Sequence, residues 1–302
     1  MSGSFTRAVR ENVGLIVAIS GGTGSGKTFS ALTLAAGMCG DEPFAVIDTE
    51  RGRALHYADQ FKFDCAGLDA PFNPHRYQEK IVEADRAGYK VILVDSMSHE
   101  HAGEGGILDM QEAEFQRLGG RESAKMLSWA APKKEHKRMM QSLLQAKAHI
   151  ILCFRAEEKV EMVKNEKTGK TEVVPKKTRT GIEGWVPVWE KNIPFEATCS
   201  FLMTSEAPGV PRPIKLQEQH RHIFPEGLAV TRAHGAALRK WAEGGIPASR
   251  PSLEKLTTLL QATGSLAELA DFWGTLTADE KKALATVKDT QKTALTAAQG
   301  GA

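Results

Sequence analysis

The chain has few of the features that mark secreted, membrane or metal-stapled proteins. Its 302 residues hold four cysteines, Cys39, Cys65, Cys153 and Cys199, far apart and without a C-x-x-C pair. That excludes a disulfide scaffold and a cysteine zinc site. Two of the four fall in apolar stretches with strand character, so buried free thiols in a reducing compartment are expected. No apolar run approaches the roughly 20 residues needed to span a bilayer. The polar stretch from Met1 to Asn12 does not have the make-up of a signal peptide, and the expected location is the cytoplasm. Net charge is almost absent: 39 Lys and Arg against 37 Asp and Glu leave +2. Any basic surface must therefore be local. No long internal repeat is present. Hydrophobic residues at 41% and charged residues at 25% are ordinary, and suffice for one large α/β domain with a small appendage.

What is there begins with Gly21-Gly22-Thr23-Gly24-Ser25-Gly26-Lys27-Thr28, which spells G-x4-G-K-T. An apolar, β-branched run, Leu15 to Ile19, precedes it and reads as a buried strand. Phe29 to Ala36 follows and reads as a helix ending near Gly37 or Gly40. A strand, a glycine loop and a helix N-terminus form a nest of backbone N–H groups aimed at phosphate. Gly21, Gly24 and Gly26 are expected to take positive φ and to let the chain approach the oxygens. Lys27 is expected to reach the β- and γ-phosphates, and the Thr28 hydroxyl to complete a Mg²⁺ shell. The motif predicts binding of a nucleoside triphosphate, with ATP as the default, and Mg²⁺.

Downstream, Phe44 to Ile47 reads as a second strand running into Asp48-Thr49-Glu50, with a helix over Arg53 to Phe61. Asn73-Pro74 reads as an N-cap with proline at the first helical position, and Gly88 as that helix's stop. Val91 to Asp95 is an apolar strand ending in an acid. An amphipathic segment spans Leu108 to Leu118, and Pro132 opens a basic helix through Lys147. His149 to Phe154 is a further buried strand. Strands alternating with helices predict a mostly parallel sheet covered on both faces. After Arg155, Lys159–Val163 and Thr171–Val174 alternate around Asn165 to Gly169, predicting a projecting β-hairpin. Further β segments are expected over Glu196 to Thr204 and Pro213 to Phe224. Gly244 to Pro251 reads as a linker. Beyond it, Ser265-x-x-Glu268 and Thr277-x-x-Glu280 are capping-box patterns for short helices. The expected division is a P-loop domain over 1–245 and a linker with a small helical domain over 246–302.

Asp95 has the position of a Walker B acid, a carboxylate ending an apolar strand after the phosphate loop and holding Mg²⁺ through water. The hairpin and its flank gather Lys164, Lys167, Lys170, Lys176, Lys177 and Arg179 against Glu166 and Glu172. A basic ribbon of this kind suits a phosphate backbone, with affinity that falls as salt rises. A solvated charged hairpin is the plain alternative. Trp185 and Trp189 are candidates for base stacking, but two tryptophans at this spacing are more often packing anchors. His99-Glu100-His101 has no ligand spacing that supports a metal. His220-Arg221-His222 is expected to alternate along an exposed strand.

The ordered set of P-loop, Ile47-Asp48-Thr49-Glu50, Val94-Asp95-Ser96 and Ile150 to Arg155 resembles the RecA-like, AAA-type ATPases of bacteriophages and prophages. The resemblance covers roughly residues 13–230 and implies a RecA-like P-loop core, α/β in class, with a hairpin and a C-terminal helical element. It implies that Glu50, at the second strand's end, is the base that orients and deprotonates water, with Asp48 its competitor and a structural turn the third option. It also puts Arg155 where such proteins sense the γ-phosphate, usually with glutamine or another polar group, so an arginine departs from the pattern. The hairpin falls where these folds carry mobile DNA-contacting loops.

Lys27, Glu50, Asp95 and Arg155 are thus the expected catalytic set, with Thr28 and Asp95 toward the metal. The expected function is a Mg²⁺-dependent ATPase on single-stranded DNA in phage recombination or replication, in the host cytoplasm if phage-encoded. An annealing or single-strand-binding protein is the expected partner, self-association is open, and no membrane is involved. The alternatives are a nucleotide-gated mediator with weak hydrolysis and a small-molecule kinase. The kinase is disfavoured because no arginine-rich lid motif is present.

Overall fold

A computed structural model describes residues 10, 13–164, 170–178, 180–182, 184–244, 253–274 and 276–299. Two compact units emerge, one spanning Arg10–Gly244 and one taking in the helices after Gly244.

The larger unit is built on six parallel strands. They are β1 (Ile16–Gly21), β2 (Phe44–Asp48), β3 (Phe63–Gly67), β4 (Val91–Asp95), β5 (His149–Glu158) and β9 (Cys199–Met203). β8 (Trp185–Pro187) pairs antiparallel with the far end of β5, and β10 (Arg212–Lys215) closes the opposite edge. The sheet order is β10-β9-β1-β5-β4-β2-β3. Parallel strands need crossovers, and helices supply them. These are α1 (Lys27–Cys39), α2 (Pro74–Arg86), α3 (Ser98–Ala102), α4 (Ile107–Arg117) and α5 (Ala130–Gln145).

The strands are apolar at nearly every position because both faces are covered. Alternation then deals their side chains to two cores. Val17, Ile19, Val46, Leu93 and Ile151 face α1 and α8 (Arg232–Glu243). Ile16, Ala18, Ile47, Ile92, Val94 and Leu152 face Tyr77 and Ile81 of α2 and Met139 and Leu143 of α5. Each fully buried aliphatic side chain contributes roughly 1.5–3 kcal/mol. Because the strands are parallel, the ends of β1, β2, β4 and β5 open on one sheet edge, the usual ligand side of such folds.

Several local expectations match the fold. Asn73 caps α2, its Oδ1 accepting from Arg76 N at 3.2 Å, with Pro74 first in the helix. β6 (Val160–Lys164) and β7 (Thr171–Pro175) form a separate antiparallel ribbon. The turn expected over Asn165 to Gly169 lies outside the described residues.

Others need correction. The helix expected over Arg53 to Phe61 is a short 3-10 turn, Arg53–Tyr57. β3 had no sequence signal, since Phe-Asp-Cys-Ala-Gly has no β-branched residue, and it exists by pairing with β2. Its Cys65 is exposed, whereas Cys39, Cys153 and Cys199 are buried free thiols. The strand expected through Phe224 ends at Lys215, and His220-Arg221-His222 is not an exposed strand. His220 and Arg221 lie in α7 (Glu218–Arg221), and His220 is buried against the Trp241 ring, centroids 4.3 Å apart. α8 itself was unread: Thr231 caps it with His234 in place of the usual Glu or Gln. Gly37 and Gly235 let α1 and α8 touch. A Cβ on Gly37 would stand 2.1 Å from Arg232 O, and one on Gly235 would stand 2.2 Å from Leu34 O.

The second unit is a helical cluster of α9 (Leu253–Gln261), α10 (Leu266–Gly274) and α11 (Ala278–Gln299). It buries Leu256, Leu260, Leu269, Leu276 and Leu284 together. At Thr277 the reciprocal cap forms, Thr277 N donating to Glu280 Oε2 at 2.8 Å and Glu280 N to Thr277 Oγ1 at 3.4 Å. At Ser265 the returning Glu268 carboxylate takes Gly264 N instead, at 2.9 Å. Among the described residues no helix is long and apolar enough to cross a membrane.

Candidate functional site

The loop after β1 is tied down at each turn. Ser25 Oγ donates to Gly22 O at 2.8 Å, and Gly209 N donates to Ser25 O at 2.9 Å. Gly26 sits at φ 77°, the left-handed region that favours glycine, and starts α1. A Cβ there would also strike Gly209 N at 2.8 Å. Gly24 has positive φ too, but Gly21 does not; it is the last residue of β1. Gly21 is required for space instead, since a Cβ would lie 2.4 Å from Ser25 Oγ and 2.8 Å from Met203 O.

The next elements bring three carboxylates to this loop. Thr28 Oγ1 donates to Asp95 Oδ2 at 2.6 Å, joining the first turn of α1 to the end of β4. Asp95 is buried, which raises its carboxyl above the usual range against the opposing pull of Lys27 and of the Thr28 hydrogen bond. Asp48, the competitor to Glu50, is consumed by the backbone. Its Oδ1 accepts from Glu50 N at 2.7 Å and Gly52 N at 3.2 Å, and its Oδ2 from Ala54 N at 2.9 Å. That is the structural turn, and it belongs to Asp48.

Glu50 points the other way and meets Arg155. Arg155 Nη2 and Nε donate to Glu50 Oε1 at 2.6 and 3.0 Å, while Arg53 Nη2 stands 3.7 Å from Oε2. Burial raises the Glu50 carboxyl, but the Arg155 hydrogen bond and charge, then Arg53 and His99, outweigh it and hold it below its usual range. His99 Nε2 is 3.9 Å from Oε1, and His99 Nδ1 is 2.8 Å from Thr49 Oγ1. Burial, then the nearby Arg155, lower this imidazole's pKa below its ordinary value, against the pull of Glu50.

Loop and side chains enclose a cleft of 530 Å³ lined by Gly21 to Phe29, Glu50, Arg53, Tyr57, Arg155, Ala156 and Glu157. Lys27, Glu50 and Arg155 share this space; Asp95 reaches it through Thr28. Sequence reading missed Phe29, Arg53 and Tyr57. Phe29 is exposed, and its ring packs 5.9 Å from Tyr57 and 5.5 Å from Phe61. The available signal was an aromatic directly after the P-loop threonine, and another one two turns beyond Glu50.

The remaining candidates scatter. Lys164, Lys170, Lys176 and Lys177 lie on or beside the ribbon and are exposed; Lys167 and Arg179 lie outside the described residues. The ribbon is less polar than expected, with Val160, Met162 and Val173 on one exposed face. Trp189 packs on Phe154, centroids 5.1 Å apart, and Trp185 lies so close that a Cβ on Gly22 would stand 2.8 Å from its ring. Both act as packing anchors. His99-Glu100-His101 diverges: Glu100 Oε1 lies 2.9 Å from His136 Nδ1 on α5, away from His99's partners. Among the described residues no three His, Cys, Asp or Glu side chains converge on a metal site.

None of the curated proteins compared with the chain matches it. Residues 14–207, from just before β1 to the loop that covers Ser25, match the family described as AAA domain. The chain belongs to that AAA-type P-loop NTPase family, whose members bind nucleotide and act in general as ATPases.

Proposed function

We propose that the chain is a Mg²⁺-dependent ATPase that acts on single-stranded DNA in phage recombination or replication. One observation carries the enzymatic part: the end of a parallel sheet gathers a phosphate nest, Lys27, a Thr28–Asp95 contact and a separately held Glu50 in one cleft. In this reading the loop's N–H groups and Lys27 hold the β- and γ-phosphates. Phe29 and Tyr57 face the nucleoside. Thr28 and Asp95 are hard oxygen donors, as Mg²⁺ prefers, and too few to bind it without phosphate and water. When bound, the ion neutralises charge building on the phosphate oxygens. Glu50 takes a proton from water as its oxygen bonds to the γ-phosphorus and the bond to the β–γ bridging oxygen breaks, leaving ADP and phosphate. Glu50 must first leave Arg155, whose guanidinium then has a developing negative charge to meet on the phosphate.

The single-stranded DNA part rests on the lysines of the β6–β7 ribbon and on the resemblance to phage RecA-like ATPases. Steady-state ATP hydrolysis with and without single-stranded DNA tests it. Stimulated turnover is expected, and a wild-type protein that neither binds nor responds to DNA overturns it. A second reading, a nucleotide-gated mediator with weak hydrolysis, is favoured by the Arg155–Glu50 pair itself, because an arginine-bound carboxylate is a poor base. In that case turnover stays near background even with DNA, while nucleotide binding is intact.

A further inference from the structure

Away from the nucleotide cleft, α5 and the turn leading through α6 (Ile193–Glu196) enclose a second cleft of 530 Å³. Its chemistry is layered. Lys133, Lys137 and Lys191 are exposed around it, and Phe195 is 78% exposed beside them. Lys133 and Lys137 are four apart on α5 and share a face. Among the described residues none of the three lysines pairs with a carboxylate; Lys133 Nζ lies over the Trp129 ring, 5.5 Å from its centroid. Glu196 is the one exposed acid among the described lining residues.

The floor is different. His136 and Glu190 are buried, 5% and 8% exposed, with exposed Asn192 next to them. His136 Nε2 is 3.8 Å from Glu190 Oε2, and its Nδ1 is 2.9 Å from Glu100 Oε1. Burying three ionisable groups is costly unless they are paired, so this floor is specified by the fold. It is also connected. Glu100 follows His99, which touches Thr49 and stands beside Glu50. Ser98 Oγ accepts from Arg155 N at 2.8 Å and donates to Val188 O at 2.7 Å, two residues before Glu190.

We propose that this cleft is a seat for a single-stranded nucleic acid, separate from the β6–β7 ribbon. Lys133, Lys137 and Lys191 take its phosphates, Phe195 stacks on a base, and the exposed Asn192 side chain meets a base edge; Glu190 Oε2 accepts from Asn192 N at 2.7 Å and holds the turn that presents it. The layering selects this occupant. Phosphates are drawn to the lysine rim, while Phe195 offers a flat face and the Asn192 amide both a donor and an acceptor to a base. A run of Asp and Glu presents no flat ring to Phe195 and no base edge to Asn192. The inference rests on the single-stranded DNA reading above and adds a second contact surface to it.

The test is fluorescence anisotropy of full-length protein with a labelled oligothymidine, at saturating ATP analogue and across a salt series. K133S/K137S/K191S is expected to flatten the log–log salt slope by about 2, roughly 0.7 for each phosphate that no longer meets a lysine. F195S changes no charge and is expected to weaken binding about fivefold or more, as removal of one stacked base does. All the substituted residues are exposed, and hydrolysis without DNA should stay at the wild-type rate. If wild type binds, the ribbon lysines matter, and both cleft variants bind like wild type with an unaltered slope, the cleft is not a seat and the DNA reading survives. If wild type does not bind in any nucleotide state, both fall together. If poly-glutamate binding is abolished in the lysine variant while oligonucleotide binding holds, the cleft takes an acidic protein segment, and the proposal is overturned.

Discussion

The phosphate loop and the β6–β7 ribbon each follow a strand of the same sheet, and they are held in opposite ways. In the loop, Ser25 is bonded on both sides, Gly26 is pressed against Gly209, and Trp185 packs on Gly22. In the ribbon, among the described residues, the two strands form a two-stranded sheet of their own, and Met162 is 79% exposed. An isolated two-stranded ribbon is marginal by itself. The difference suits the two tasks proposed for them. Phosphate chemistry needs donors fixed before the substrate arrives, whereas a polyanion is held by charge that tolerates many geometries.

The strongest way to break this comparison is at the loop. Lys27→Ala removes the point charge proposed to reach the β- and γ-phosphates, and affinity for ATP should fall by orders of magnitude, a change of a few kcal/mol. Calorimetry that finds affinity unchanged would show that the loop is not the phosphate site. Next comes Glu50→Gln, which should leave ATP binding nearly intact while hydrolysis drops by about 10² or more. Replacing Lys164, Lys167, Lys170, Lys176 and Lys177 with Ser should flatten the DNA salt slope by about 3.5, roughly 0.7 for each, and spare hydrolysis without DNA. Unchanged anisotropy across the salt series would remove the ribbon from the DNA surface.

Smaller effects separate neighbouring residues. Asp48→Asn turns one acceptor into a donor facing a backbone N–H, so stability should fall by about 1–3 kcal/mol. A lower Tm with ATP affinity retained distinguishes this from a catalytic defect. The smallest effect concerns Arg155, half exposed and paired with Glu50. Such a pair contributes about 1 kcal/mol or less. Because Arg155 helps hold the Glu50 carboxyl below its usual range, the contribution is fully present above that range. It disappears as the pH falls through the lower folded value. The stability difference between wild type and R155Q should therefore be flat around neutrality and vanish in acid, measured by denaturant titration. A difference that grew on acidification would contradict the pairing.

Legibility followed distance along the chain. The P-loop, the α2 cap and the capping box at Thr277 are each set by a few consecutive residues, and each was readable. β3 and α8 were not, because a weak strand and a glycine-bearing helix depend on partners far away in sequence, β2 and α1. The aromatic wall was hidden for a similar reason: Phe29 and Tyr57 meet only when the turn after β2 folds onto α1.

By itself the sequence determined that this chain carries a phosphate loop between a buried strand and a helix, an acid-tipped strand at Asp95 and a parallel sheet with helices on both faces. Those are local periodicities and spacings, and local sterics and burial enforce them. Only the tertiary structure gave the Asp48 carboxylate to the backbone and the Glu50 carboxylate to the cleft. It alone joined Glu50 to Arg155, buried His220, and set the lysines of α5 opposite Lys191 and Phe195. Each of those outcomes is a meeting of side chains that no spacing along the chain encodes, because it depends on which strands become neighbours in the sheet.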